Sequence, residues 1–141
     1  MVGLTATPKQ IENGLAVLRI VTGVIFAAHG YQKFFLMGID GTTGFFTQLG
    51  VPLPGIAAVL VATLELGGGL ALIAGLFTRF IAVPLAFDMA TAIFLFHAKN
   101  GFFVPGVEFV LLLMAAAITL ALAAPGSLSV DKAISRGSGG N

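Results

Sequence analysis

The sequence predicts an all-α fold: a membrane-embedded antiparallel four-helix bundle. Three observations carry that reading. Hydrophobic residues make up 57% of the 141 residues, charged residues only 9%, and the mean hydropathy is +1.04. A soluble domain carries about 25% charged residues, so water cannot be the solvent for most of this surface. The apolar residues fall into four long runs, and a membrane-spanning helix needs roughly 17–25 such residues. The links between the later runs are short enough to demand antiparallel hairpins.

The first span runs from Ile11 to Phe35 and contains Arg19 and His29. The segment before it has one Lys and no A-x-A cleavage site, so the span reads as a retained helix rather than a signal peptide. The second span, Pro54 to Phe77, contains Glu65; the third, Phe80 to Phe96, contains Asp88 and ends at His97; the fourth runs from Pro105 to Ala124. Pro54 and Pro105 suit a first helical turn. Pro125-Gly126 closes the last helix. Thr78-Arg79 and Lys99-Asn100-Gly101 make the two tight turns. The longer connection from Met37 to Leu53 carries Phe45, Phe46 and Leu49, and reads either as a short interfacial segment or as a polar loop. The whole is one domain, residues 11–131, between short polar termini, 1–10 and 132–141.

Small residues pack transmembrane helices, because lipid is as apolar as Leu. Gly67, Ala71 and Gly75 form such a ladder on the second span. In the first span Glu12, Leu15, Arg19, Thr22, Phe26, His29 and Lys33 recur at steps of three and four. That stripe should face the bundle. Glu108, Leu112, Ala115, Thr119 and Leu122 repeat the device on the fourth.

The net charge of +1 gives no electrostatic footprint for nucleic acid. The absence of cysteine excludes disulfides, thiolate-held iron–sulfur clusters and CxxC relays within the chain. No standard zinc-ligand spacing occurs, so no metal is expected. Ionisable groups within a membrane are costly and usually mark function. Depth counting at about 1.5 Å per residue predicts a midplane layer in which Arg19 faces Glu65 and Asp88. It also predicts an outer layer of His29, Lys33, His97 and Glu108, with Phe102 as a wall. Asp88 and His97 lie on opposite sides of an ideal helix unless it unwinds near His97. Four uses compete for these layers: structural ion pairs, a site for a small redox molecule such as a quinone, a proton or solute pathway, and a bis-His haem. The pairs Phe34-Phe35, Phe45-Phe46 and Phe102-Phe103 serve as lipid anchors or as an apolar entry for a ligand.

These residues also carry a resemblance. From Leu15 to Asp131 the chain resembles the DoxX family of small four-helix membrane proteins. The matching pieces are Leu18-Arg19, His29-Gly30, Lys33-Phe34, Glu65, Gly69 and Thr78-Arg79. His97 with Asn100-Gly101-Phe102-Phe103 follows, then Glu108, Pro125-Gly126, Ser129 and Asp131. Asp88 departs from the pattern, at a position associated with apolar residues. The family is linked by its name to a terminal quinol oxidase, and a related subunit to thiosulfate:quinone oxidoreduction. The resemblance therefore implies a plasma-membrane protein near quinone or thiol redox chemistry, accessory or quinone-binding, beside a membrane or peripheral oxidoreductase subunit. It assigns no catalytic residue, and leaves oligomeric state and a transporter role open.

Lys and Arg in short loops set orientation. Lys9, Arg79, Lys132 and Arg136 collect on one side, Lys33 and Lys99 on the other. Both termini are therefore expected in the cytoplasm. A reporter fused after Asn141 should be active only in its cytoplasmic form; periplasmic activity would reverse every inner and outer assignment.

Overall fold

A computed structural model describes residues 3, 5–97, 101–103 and 106–138, with His97 described by its backbone alone. Among these residues every regular element is helical: α1 (Pro8–Tyr31), α2 (Gly38–Gln48), α3 (Pro54–Ala74), α4 (Thr78–Ala92), α5 (Val107–Ala123) and α6 (Val130–Gly137). Single π-helical turns extend α1 over Gln32–Leu36 and α4 over Ile93–His97. The expected turn at Lys99-Asn100 and the expected helix start at Pro105 lie outside the described residues.

α1 opens with a capping box. The Thr7 hydroxyl accepts from the Gln10 amide at 3.3 Å, the Gln10 side chain accepts from the Thr7 amide at 2.8 Å, and Pro8 takes the first position. Three apolar helical segments are long enough to cross a bilayer: Pro8–Leu36, Pro54–Ala74 and Thr78–Phe96. α5, of 17 residues, stands at the short limit of roughly 17–25. The helices alternate in direction, with α1 packed chiefly on α3 and α4 chiefly on α5. The core between them holds Phe26, Leu72, Leu85, Met89, Leu113 and Leu120.

The α1–α3 contact is set by glycine. A Cβ on Gly69 would stand 2.6 Å from the Gly23 carbonyl oxygen and 2.8 Å from Ala27 Cα. Gly30 likewise lies against the Leu66 backbone. The helices touch backbone to backbone, where only a missing side chain fits. The predicted ladder is corrected here. Gly67 points away, with nothing near its would-be Cβ, and the seam runs instead through Gly23, Gly30 and Gly69. The stripe on α1 is partly kept: Arg19, Thr22 and Phe26 are buried, along with Ala16, Gly23 and Gly30.

Two segments differ from expectation. Met37 to Leu53 contains the helix α2, packed on α3 and tied by the buried Thr42 hydroxyl, which donates to the Lys33 carbonyl at 3.1 Å. The segment expected as a polar C-terminus is helical through Gly137, because Ser129 caps α6 by accepting from the Lys132 amide.

The glycine seam yields a paired test. Gly67→Ala should be neutral or slightly stabilising, since Ala is the better helix former by about 1 kcal/mol. Gly69→Ala should destabilise by about 1–3 kcal/mol through overpacking. Melting of both variants in detergent checks the difference in sign.

Candidate functional site

Because α1 and α3 run antiparallel across the glycine seam, their register decides which charges meet. Gly23 lies opposite Gly69 and Ile73, and Gly30 opposite Leu66. One turn beyond Gly30, Lys33 reaches Glu65, with Nζ 2.5 Å from Oε2. One turn before Gly23, Arg19 arrives beside Gly75, ten residues along α3 from Glu65.

The predicted midplane cluster is therefore corrected. Arg19 is completely buried, but it donates to the carbonyls of Ser127 (3.2 Å) and Leu128 (2.7 Å), with Asp131 as its nearby countercharge. Glu65 and Asp88 do come together, within hydrogen-bonding reach, and their cation is Lys33. Depth counting placed Arg19 nearer the middle than the helix register allows.

The end of the bundle carrying the termini is a polar knot, in which Arg19 Nε and Nη1 and the Thr78 hydroxyl are buried without a hydrogen-bond partner among the described residues. Asp131 accepts from the Phe77 and Thr78 amides at 2.7 and 2.9 Å, so it caps α4 from outside. Arg79 donates to the carbonyls of Ala124 and Leu122, at the end of α5. Ser127 donates its amide to Glu12 and its hydroxyl to Asn13. Gly75, at φ +71°, leaves space for the Arg19 guanidinium.

A cleft of about 450 Å³ lies between α2, α3 and α4. α3 and α4 touch where Gly68 meets Ile81 and Leu85, then spread around Glu65 and Asp88. Two features of α4 favour the opening. Pro84, on the cleft wall, removes the amide that would have met the Phe80 carbonyl. The π-helical turn then rotates Leu95 and Phe96 relative to an ideal helix. Phe45 and Phe46 of α2 form the roof, with Phe45 6.0 Å from Phe96 between ring centres. Leu60 and Phe87, 64% and 74% exposed, place the mouth on the lipid-facing side. The polar groups on the cleft wall are few: Lys33, Glu65, Asp88 and Thr91, whose hydroxyl donates to the Phe87 carbonyl. Among the described residues, Asp88 Oδ2 is buried without a hydrogen-bond partner.

The predicted outer layer does not assemble among the described residues. Lys33 is its one member on the cleft. His29 turns toward α5, its ring 5.9 Å from Phe109, and its Nδ1–H donates to the Ile25 carbonyl at 2.9 Å. Glu108 sits exposed in the first turn of α5, and Phe102 is exposed in a turn. The His97 side chain lies outside the described residues. The helix does change winding at His97, as a shared face with Asp88 would require. Of the phenylalanine pairs, Phe45-Phe46 line the cleft, while Phe35, Phe102 and Phe103 face outward. No group of three or more His, Cys, Asp or Glu suited to a metal occurs among the described residues. Sequence reading missed the Lys33–Glu65 pair and the role of α2. The signals were the glycine spacing on α1 and the apolar spacing of Phe45, Phe46 and Leu49.

A bundle of apolar helices with a polar-floored cleft open to its lipid-facing side defines an integral membrane protein. The chain belongs to the DoxX family, whose model matches residues 14–98. It is similar to the protein named "Putative oxidoreductase CatD" of Bacillus subtilis, 37% identical over 92% of each chain. It is also similar to the inner membrane protein YqjF of Escherichia coli, 35% identical over 91% of this chain and 98% of that one. A third relative, the inner membrane protein YphA of Escherichia coli, is 34% identical over 59% of each. No solved structure matches the chain.

Removing one partner of a buried ion pair strands the other charge, at a cost of about 3–5 kcal/mol. Lys33→Met should therefore lower the melting temperature in detergent sharply. Lys33→Met combined with Glu65→Gln should recover part of the loss. Arg19→Leu should be destabilising too, and Glu65→Gln should not rescue it, because the two groups belong to separate clusters.

Proposed function

We propose that this protein is an inner-membrane component of a redox system and binds a lipid-soluble, quinone-type molecule in the cleft between α2, α3 and α4. Both termini face the cytoplasm in this reading, as the Lys/Arg distribution supports. The carrying observation is Asp88 Oδ2, buried without a hydrogen-bond partner among the described residues, beside the Lys33–Glu65 pair on the floor of a mostly apolar cleft. A buried polar atom without a partner is costly. A ligand with a polar ring and an apolar tail relieves that cost and fills the remaining space. Pockets for such ligands are about 300–1,000 Å³, mostly apolar, with a few placed polar groups, and this cleft fits that description.

The trio suits a quinone headgroup chemically. The Lys33 ammonium donates to a ring carbonyl oxygen. Asp88 and Glu65, two carboxyls beside one cation, can hold and pass a proton as the ring oxygens change between carbonyl and hydroxyl. Electron transfer falls to a partner oxidoreductase subunit. The relative named as an oxidoreductase supports a redox setting. The same trio within the span also favours a second reading, a small proton-conducting or transport module. That reading predicts proton flux in liposomes containing this protein alone.

Asp88 separates the possibilities. Decylubiquinone should raise the melting temperature of the purified protein, and Asp88→Leu should weaken that binding about tenfold or more. The substitution removes a stranded polar atom, so the unliganded protein should melt at the same temperature or higher. Equal decylubiquinone binding by wild type and Asp88→Leu, or none by wild type, would overturn the assignment.

A further inference from the structure

A second groove lies at the opposite end of the molecule, between the start of α1 and α6. It encloses about 550 Å³ and is lined by Lys9, Glu12, Asn13, Ser127, Lys132 and Arg136, among others. Its one carboxylate on the wall, Glu12, pairs with Lys132. Among the described residues, neither Lys9 nor Arg136 makes a side-chain hydrogen bond or ion pair. Three cations against one carboxylate leave the groove with an excess of positive charge.

α6 itself is divided lengthwise. Val130 and Ile134 stand one turn apart on one face, and Lys132 and Arg136 one turn apart on the opposite face. The basic face turns into the groove. The apolar face is exposed: Ile134 by 60%, Val130 by 41%, and the adjoining Leu128, which also borders the groove, by 83%. α6 follows α5 after the six-residue connection 124–129, and Asp131 fixes it to the end of α3, through the Gly75 carbonyl, and to the start of α4, through the Phe77 and Thr78 amides. It therefore sits at the level where the spanning helices leave the hydrocarbon.

We propose that this groove binds the phosphate of an anionic glycerophospholipid, with α6 lying in the headgroup layer. Lys9 and Arg136 hold the phosphate, the Ser127 and Asn13 side chains border it, and Leu128, Val130 and Ile134 enter the acyl region. The two halves of the observation need one occupant that is both anionic and apolar. A soluble phosphate would use the cations and leave the three apolar side chains in water. A neutral lipid would cover the apolar face and leave the cations unpaired. An amphipathic helix with basic residues opposite an apolar face suits an anionic membrane surface, where each Lys or Arg contributes about 1 kcal/mol. The site is separate from the cleft and does not depend on what the cleft binds.

The full chain, delipidated in detergent and titrated with lipid in native mass spectrometry, gives the test. Wild type should bind phosphatidylglycerol in preference to phosphatidylcholine, and added salt should weaken the binding. Lys9→Gln with Arg136→Gln should reduce phosphatidylglycerol binding on the order of tenfold, with the melting temperature kept. Leu128→Ser with Ile134→Ser should also reduce it. Equal binding of the two lipids would overturn the proposal. So would displacement of phosphatidylglycerol by millimolar inorganic phosphate with no effect of the Leu128/Ile134 substitutions, which would mark a site for soluble phosphate. A lipid-free dimer abolished by those same substitutions would show that a second copy covers the face, and would overturn it as well.

Discussion

Everything in this molecule depends on the backbone contact between α1 and α3. Gly23, Gly30 and Gly69 let the two helices approach until backbone lies against backbone, and such a contact has one register. Apolar surface alone cannot impose that register in lipid, because any apolar face is equally content against acyl chains. Once it is set, the polar side chains of α1 have no choice of partner. Lys33 is delivered to Glu65, and Arg19 to the far end of α3.

The result is two polar clusters of different character at two depths. The cluster around Arg19, Arg79 and Asp131 ties helix ends together, although Arg19 Nε and Nη1 and the Thr78 hydroxyl are buried without a hydrogen-bond partner among the described residues. Its cations donate to carbonyls at chain reversals and its carboxylate accepts the first amides of α4. Those bonds satisfy helix ends that lipid could not solvate. Arg19 and Arg79 lie within the segment that matches the family, residues 14–98, and Asp131 lies beyond it. The cluster around Lys33, Glu65 and Asp88 borders the cleft, and Asp88 Oδ2 is buried without a hydrogen-bond partner among the described residues.

The opening arises from deliberate breaks in helical regularity. Pro84 interrupts α4 one turn before Asp88, and π-helical turns end both α1 and α4 where they border the cleft. α2 then covers the space left between α3 and α4, held by Thr42 on one side and Phe45 against Phe96 on the other. The cleft is thus built by elements that deviate from straight spans and floored by residues on the straight ones.

The sequence by itself determined the solvent, the long apolar helices and their order. Composition and run length settle those locally, since a bilayer leaves an apolar segment no alternative to a helix. It also singled out the ionisable residues within the spans, Arg19, His29, Lys33, Glu65, Asp88, His97 and Glu108, because they stand out in such a background. The family pattern was legible for the same reason. Which of these residues meet was decided only by tertiary structure. Helical phase and depth counting place a side chain to within about a turn, while one turn of register, 5.4 Å, separates one ion pair from the next. His29 shows the same limit: its stripe position was right, yet the neighbour on its side is Phe109 of α5, not the cleft. α2 and α6 were missed because each is short and amphipathic, and becomes a helix by packing or capping that the linear pattern does not display.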